Sequence, residues 1–311
     1  MSKLGVTLAG VPFKNPVLVA SGTFGFGHEF SQFYDLSRLG GIMVKGLTPA
    51  RRGGNRPPRI AETPLGMLNS VGLQNPGVDV FLEQELPYLR GFDTNIIANI
   101  TGATPEEYAE MTEKLSDAKL DMIEINVSCP NVKQGGALFG ASAEGISSVV
   151  SACRAKTSLP LIVKLSPNVT DIAEMARAAE AAGADCISLI NTILGMRIDP
   201  VTRRPILGNN MGGLSGPAIK PVAVRMVYQV AQAVKLPIIG MGGIMDANDA
   251  MEFFLAGASA IAVGTANLVD PMAAVNLLEE LRDTLDSTDE SICDIIGGVI
   301  LNEAAHGVNK P

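Results

Sequence analysis

Residues Asp121-Met-Ile-Glu-Ile-Asn-Val-Ser-Cys-Pro-Asn131 read as a short apolar strand that ends abruptly in polar groups. Proline at 130 stops the strand, because it lacks an N–H and restricts the residue before it. Around that stop stand an amide, a hydroxyl, a thiol and a second amide, on a loop that runs on to Gly135-Gly136. A thiol just past a strand end is exposed, and flanking amides can hold a polar ring against it. Cysteine acts as a base or nucleophile when its pKa, about 8.5 unperturbed, is brought near the working pH. An isolated cysteine is more often a small buried filler. The polar neighbours and the glycine pair set Cys129 apart as a candidate general base.

The same form, an apolar run with a polar end, recurs along the chain. Runs at 16–20, 41–45, 95–100, 122–126, 161–165, 186–191, 238–241 and 260–263 are almost continuously apolar rather than alternating. That pattern predicts parallel strands covered on both faces. Amphipathic helices separate them. Thr104-Pro-Glu-Glu107 is a capping box with proline at the first helical position. Asp171 opens a helix ending near Gly183, and Asp246 opens one ending near Gly257. Eight such β–α alternations with no linker predict one (β/α)8 barrel domain spanning residues 1–311. An open dinucleotide-binding sheet is the rival, but no G-x-G-x-x-G follows the first strand.

Composition narrows the partners. The chain has 311 residues, 47% apolar and 18% charged, as in a well-packed globular protein. A net charge of −8, with no basic run longer than a pair, argues against nucleic acid or an anionic membrane surface. The four cysteines (129, 153, 186 and 293) show no C-x-x-C spacing, so neither a metal centre nor an iron–sulfur site is expected in this chain. Cys153 and Cys186 fall in apolar patterns and read as core. No signal pattern and no apolar stretch of about 18 residues is present, which predicts a cytoplasmic protein without a membrane span.

Barrel strands deliver their C-terminal ends to the catalytic face. Those ends are Ser21-Gly22, Lys45-Gly46, Asn99, Asn126, Lys164, Asn191-Thr192, Gly242-Gly243 and Gly264-Thr265. One lysine there would be an ordinary solvated terminus. Two lysines, three asparagines and two glycine steps together describe a pocket for a flat, amide-rich, anionic ligand. The glycine steps follow strands seven and eight, where such barrels bind phosphate on bare backbone N–H groups. With the two lysines they suggest a phosphorylated cofactor such as FMN, with Lys164 beside the charge of a reduced flavin.

Asn126-Val-Ser-Cys-Pro-Asn131, Asn69-Ser-Val-Gly-Leu73, Lys45-Gly46, Asn191-Thr192 and the paired-glycine steps resemble the dihydroorotate dehydrogenase family, collinearly from about residue 4 to residue 305. The continuation to Phe139-Gly140 and the run Asn191-Thr-Ile-Leu-Gly-Met-Arg-Ile-Asp199 are similar to its NAD-linked class 1B catalytic subunit. The resemblance implies FMN-dependent oxidation of dihydroorotate to orotate in pyrimidine biosynthesis, with Cys129 as general base and hydride passing to the flavin. It implies FMN binding by Ser21, Lys45, Gly46, Asn99, Asn126, Lys164, Ile190, Gly216, Gly242, Gly243, Gly264 and Thr265. It implies substrate binding by Lys45, Asn69, Ser70, Val71, Gly72, Leu73, Asn126, Asn131, Asn191 and Thr192.

The loop from Ser128 to about Ser142 is expected to act as a lid. This chain shows no nicotinamide fingerprint and no cluster ligands. Electrons bound for NAD must therefore leave through another polypeptide. In the family that partner carries FAD and a [2Fe–2S] cluster, and two catalytic chains pair with two partners. The alternatives are a fumarate-using class 1A enzyme, a dihydropyrimidine dehydrogenase-like flavin barrel, and a non-catalytic flavin-binding scaffold.

Overall fold

The computed structural model describes residues 2–127 and 139–302. Cys129, Asn131 and most of the expected lid lie outside them. Eight parallel strands close into a barrel: β1 (Val17–Val19), β2 (Gly41–Met43), β3 (Asn95–Ile100), β4 (Met122–Asn126), β5 (Leu161–Lys164), β6 (Cys186–Leu189), β7 (Ile238–Gly240) and β8 (Ala260–Val263). Each pairs with its neighbour in sequence, and β8 closes on β1 through Ile261 opposite Val17. All eight apolar runs of the sequence are barrel strands. Their side chains are almost entirely buried, which is why the runs do not alternate.

The long helices are α1 (Pro105–Ser116), α2 (Ala143–Arg154), α3 (Ile172–Ala181), α4 (Lys220–Ala231), α5 (Ala247–Ala256) and α6 (Ala273–Asp286). Their caps follow the sequence. Asp171 accepts from the Ala173 and Glu174 N–H groups, and Asp246 accepts from that of Asp249. Gly257 ends α5 at φ +113°, a conformation that side chains with a Cβ rarely adopt. Thr104 caps α1 by accepting from the Glu107 N–H at 3.3 Å. The Glu107 carboxylate, however, reaches the Ala103 N–H at 2.7 Å rather than the capping residue's own. The α5–barrel contact explains one strand end. A Cβ at Gly240 would stand 2.5 Å from the buried Phe253 ring, so β7 ends in a residue that lets the helix sit close.

The regular alternation breaks in two places. Between β1 and β2 only two 3-10 turns, Phe30–Gln32 and Leu36–Arg38, stand where a helix was expected. Between β2 and β3 lies a hairpin, Ile60–Thr63 with Gly66–Asn69, followed by a helical stretch over 78–89. That hairpin joins Gly212–Ser215 and Ile193–Gly195 in a four-stranded antiparallel sheet. These strands are three or four residues long, broken by glycines and polar residues and partly exposed, so they carry no long apolar run for sequence reading to detect. At the opposite end the N-terminal hairpin, Val6–Leu8 with Val11–Phe13, packs on the starts of the strands. Asn95, at the start of β3, donates to the Pro12 carbonyl at 3.0 Å, and Phe13 lies against Gly41.

Candidate active site

Each strand end contributes to one cavity of about 230 Å³ at the C-terminal mouth of the barrel. From β1 come Ser21 and Gly22, and past β2 come Lys45 and Gly46. Asn99 comes from β3, Asn126 from β4 and Lys164 from β5. Ile190, Asn191 and Thr192 follow β6, Gly242 and Gly243 follow β7, and Gly264 and Thr265 follow β8. The antiparallel sheet and its loops supply the remaining wall with Ile60, Met67, Asn69, Val71, Gly72, Leu73, Ser215 and Gly216.

Register explains the convergence. Asn126 and Lys164 are paired neighbours on β4 and β5. Side chains alternate along a strand, so Glu124 and Asn126 share the inner face, with Glu124 one layer deeper. Lys164 is 5% exposed, and its Nζ donates to Ser21 Oγ at 3.4 Å. The Asn126 carbonyl accepts from the Tyr108 hydroxyl of α1 at 2.8 Å, which ties the end of β4 to the helix outside it. Thr265 Oγ1 donates to Ser215 Oγ at 2.8 Å, joining the end of β8 to the antiparallel sheet.

The 69–73 loop is held from behind. Asn55 Nδ2 donates to the Ser70 carbonyl at 3.2 Å and to its hydroxyl at 3.0 Å, and Arg59 Nε holds the Asn55 carbonyl at 2.6 Å. Asn75 Nδ2 donates to the Leu73 carbonyl at 2.7 Å and to Thr48 Oγ1 at 2.8 Å. Gly72 and Leu73 both take positive φ, +76° and +56°. The leucine is in a conformation costly for a side chain with a Cβ, which these surrounding bonds enforce. On the sheet side Asn69 Nδ2 donates to the Gly213 carbonyl at 3.3 Å.

Several glycines make room. A Cβ at Gly46 would lie 2.8 Å from Asn99 Oδ1, and one at Gly213 would lie 1.9 Å from Thr192 Oγ1. Gly242 and Gly243 turn the chain after β7 at φ +124° and +84°. Asn99 Oδ1 is buried without a hydrogen-bond partner among the described residues. Elsewhere in the barrel, burial pushes the Cys153 thiol up to about 11. It pushes Cys186 further, with the Glu124 and Asp185 charges adding to the shift, so both are protonated core residues. Among the described residues, no group of three or more His, Cys, Asp or Glu could hold a metal.

Comparison with known proteins agrees with this architecture. The dihydroorotate dehydrogenase family model matches residues 3–285. The chain belongs to the dihydroorotate dehydrogenase family. It is 57% identical over 295 residues to the catalytic subunit of dihydroorotate dehydrogenase B (NAD(+)) from Alkaliphilus oremlandii, covering 94% of this chain and 98% of the relative. It is 54% identical over 301 residues to the subunit of the same name from Bacteroides thetaiotaomicron, covering 96% and 99%. A crystal structure of dihydroorotate dehydrogenase from Eimeria tenella in complex with ferulenol shares the fold with a TM-score of 0.79. The identity there is 23%, and the match covers 96% of this chain and 89% of that one.

Within this dihydroorotate dehydrogenase barrel, every residue expected at the cofactor lines the cavity. So do Lys45, Asn69, Val71, Gly72, Leu73, Asn126, Asn191 and Thr192 of the expected substrate set. Ser70 does not line it; that residue is 1% exposed and holds the loop to Asn55. Sequence reading missed the apolar wall of Ile60, Met67, Met241, Met245 and Leu268, whose residue types carry no chemical signal. It also passed over Glu124, although a carboxylate inside the apolar run Met-Ile-Glu-Ile is a signal in its own right. No helix among the described residues is long and apolar enough to cross a membrane.

Proposed function

We propose that this chain is the catalytic subunit of an NAD-linked dihydroorotate dehydrogenase, oxidising dihydroorotate to orotate with FMN in the barrel mouth. The observation that carries the reading is the meeting of two lysines, five strand-end asparagines or threonines and two bare glycine steps in one cavity. The residues fit FMN on their chemistry. Gly242 and Gly243 turn at positive φ with neighbouring atoms where a Cβ would stand, and with Gly264 they line the cavity where backbone N–H groups would meet a phosphate, while Gly46 has no room for a Cβ beside Asn99 Oδ1. Asn99 Oδ1 is a buried acceptor that lacks a donor among the described residues. Lys164 and Ser21 would hold the ring system from one side, and Ile190 and Gly216 would contact it apolarly.

Bound FMN supplies a two-electron acceptor for the hydrogen leaving the substrate ring. The chain's own groups do the rest. Asn69, Asn126, Asn191 and Thr192 satisfy the amide edges and carboxylate of the pyrimidine ring, since neutral amides both donate and accept. Asn131, outside the described residues, is assigned to the same substrate set, and Lys45 adds positive charge for the carboxylate. Cys129 takes the proton from substrate carbon 5 as general base. The lid role assigned to the loop from Ser128 to about Ser142 falls mostly outside the described residues and belongs to the same reading. The whole chain works as one barrel domain in the cytoplasm. It passes electrons to an FAD and [2Fe–2S] subunit, as two catalytic chains with two partners.

Anaerobic mixing tests the reading. Purified chain loaded with FMN should lose its yellow absorbance on addition of dihydroorotate, and orotate should form in equal amount. A flavin that stays oxidised under dihydroorotate removes the proposal.

A further inference from the structure

Glu124 is the one carboxylate among the described residues that is fully buried. It sits on β4 opposite Asn99 of β3, and its side chain crosses the barrel interior to β6, passing the intervening β5. Ser188 Oγ donates to Oε1 at 2.6 Å, and Asn99 Nδ2 donates to Oε2. A buried carboxylate is costly to desolvate and is tolerated where donors meet its oxygens. This one has a donor on each oxygen, one layer beneath the cavity floor.

The consequence falls on Asn99. An amide has an NH2 group that only donates and an oxygen that only accepts, while a carboxylate only accepts. Turning the Asn99 amide over would set Oδ1 against Oε2, acceptor against acceptor. The carboxylate therefore fixes the amide with its NH2 downward. Its oxygen is left against Gly46 at the floor of the cavity, buried and without a partner among the described residues. A buried acceptor in that state selects a ligand bearing a donor. In an oxidised isoalloxazine ring the sole N–H is the imide.

We infer that Glu124 is a positioning residue: it orients the Asn99 amide so that the site accepts a flavin through its imide N–H. This rests on the flavin reading above and adds the group that sets the polarity of the floor. Glu124 touches neither cofactor nor substrate and acts through Asn99.

The test compares binding of FMN and of 3-methyl-FMN, which lacks the imide N–H, to flavin-free protein by fluorescence quenching. The native chain should prefer FMN by at least about tenfold, the scale of one unpaired buried acceptor. Glu124→Gln can donate its own amide to Asn99 and allow the flip, so the preference should collapse toward unity. Ser188→Ala leaves the hold on Asn99 and should keep the preference. Should Glu124→Gln fail to fold, Asn99→Ala must lose the preference instead. An unchanged preference in Glu124→Gln, or in Asn99→Ala, overturns the inference while leaving the flavin reading intact. An equal loss in Ser188→Ala also overturns it, by showing that general packing of the layer is at work. A native chain that binds neither flavin brings down the flavin reading, and this inference with it.

Discussion

Lys164 Nζ stands 3.4 Å from Ser21 Oγ, bringing the end of β5 and the residue past β1 together across the barrel mouth with both side chains buried. A lysine so placed faces a cavity rather than solvent. Its charge is best compensated by a ligand that becomes negative. Lys164→Ala should weaken FMN retention and lower the midpoint potential of whatever flavin remains, because the cation nearest the developing charge is gone. Spectroelectrochemistry on the variant checks this. An unaltered potential with full flavin content would place Lys164 away from the ring.

Asn69→Ala should separate the two ligands. Asn69 belongs to the antiparallel sheet that lines one wall of the cavity and donates to the Gly213 carbonyl at 3.3 Å. Flavin content is expected to match the native protein, with the KM for dihydroorotate raised about tenfold or more for one lost polar contact. Steady-state kinetics with a dye acceptor measure it. Loss of flavin from the variant would contradict the assignment of this wall to substrate.

The two walls also differ in how legible they were. All eight barrel strands could be read from their apolar runs, since burial on both faces removes the polar alternation that would obscure them. Their polar ends were equally visible, because Lys45, Asn99, Asn126 and Lys164 break apolar stretches. The antiparallel sheet was not visible. Strands such as Gly66–Asn69 and Gly212–Ser215 are stabilised by backbone pairing and by glycines such as Gly213, which fit only because neighbouring residues approach closely. Close approach is a property of the folded chain. The same holds for Ser70, whose place in the Asn69–Leu73 motif suggested a ligand contact and whose carbonyl and hydroxyl also accept from Asn55, a partner that the sequence does not show.

Gly213→Ala tests that close approach. A Cβ there would meet Thr192 Oγ1 at 1.9 Å and Thr192 Cβ at 2.5 Å, so the Thr192 side chain must move. Overpacking of this kind typically costs about 1–3 kcal/mol. The variant should show a lower melting temperature and a raised dihydroorotate KM, with kcat less affected. A native KM would show that Thr192 does not contact substrate.

Cys129→Ser should retain FMN and bind orotate while slowing anaerobic flavin reduction by roughly 10²–10⁴ near neutral pH, the usual contribution of a general base. A serine hydroxyl is a far weaker base, so the rate should recover partly as pH rises. The other barrel thiols are poor substitutes: Cys153 is pushed up to about 11 by burial, and Cys186 higher still. Stopped-flow absorbance across pH distinguishes the outcomes. A native reduction rate in the variant would remove Cys129 from the chemistry.

The electron acceptor provides the last test, because it depends on what the chain lacks as well as what it has. No G-x-G-x-x-G motif is present in the sequence, and the four cysteines lack the spacing of an iron–sulfur site. The cavity is lined by two lysines, strand-end amides and glycines, and on the proposed reading it holds one flavin with the substrate on its open side. An NAD molecule would have to approach through the substrate wall. The isolated chain should therefore reduce its flavin with dihydroorotate and pass electrons readily to a small dye or to oxygen, which need reach only the flavin edge. NAD reduction should be slow until the FAD and iron–sulfur partner is added, and should then rise to the rate of flavin reduction. Rapid NAD reduction by the isolated 311-residue chain would refute the two-subunit reading. Rapid turnover with fumarate, competitive with orotate, would show instead that both reactants use one pocket and that no partner is required.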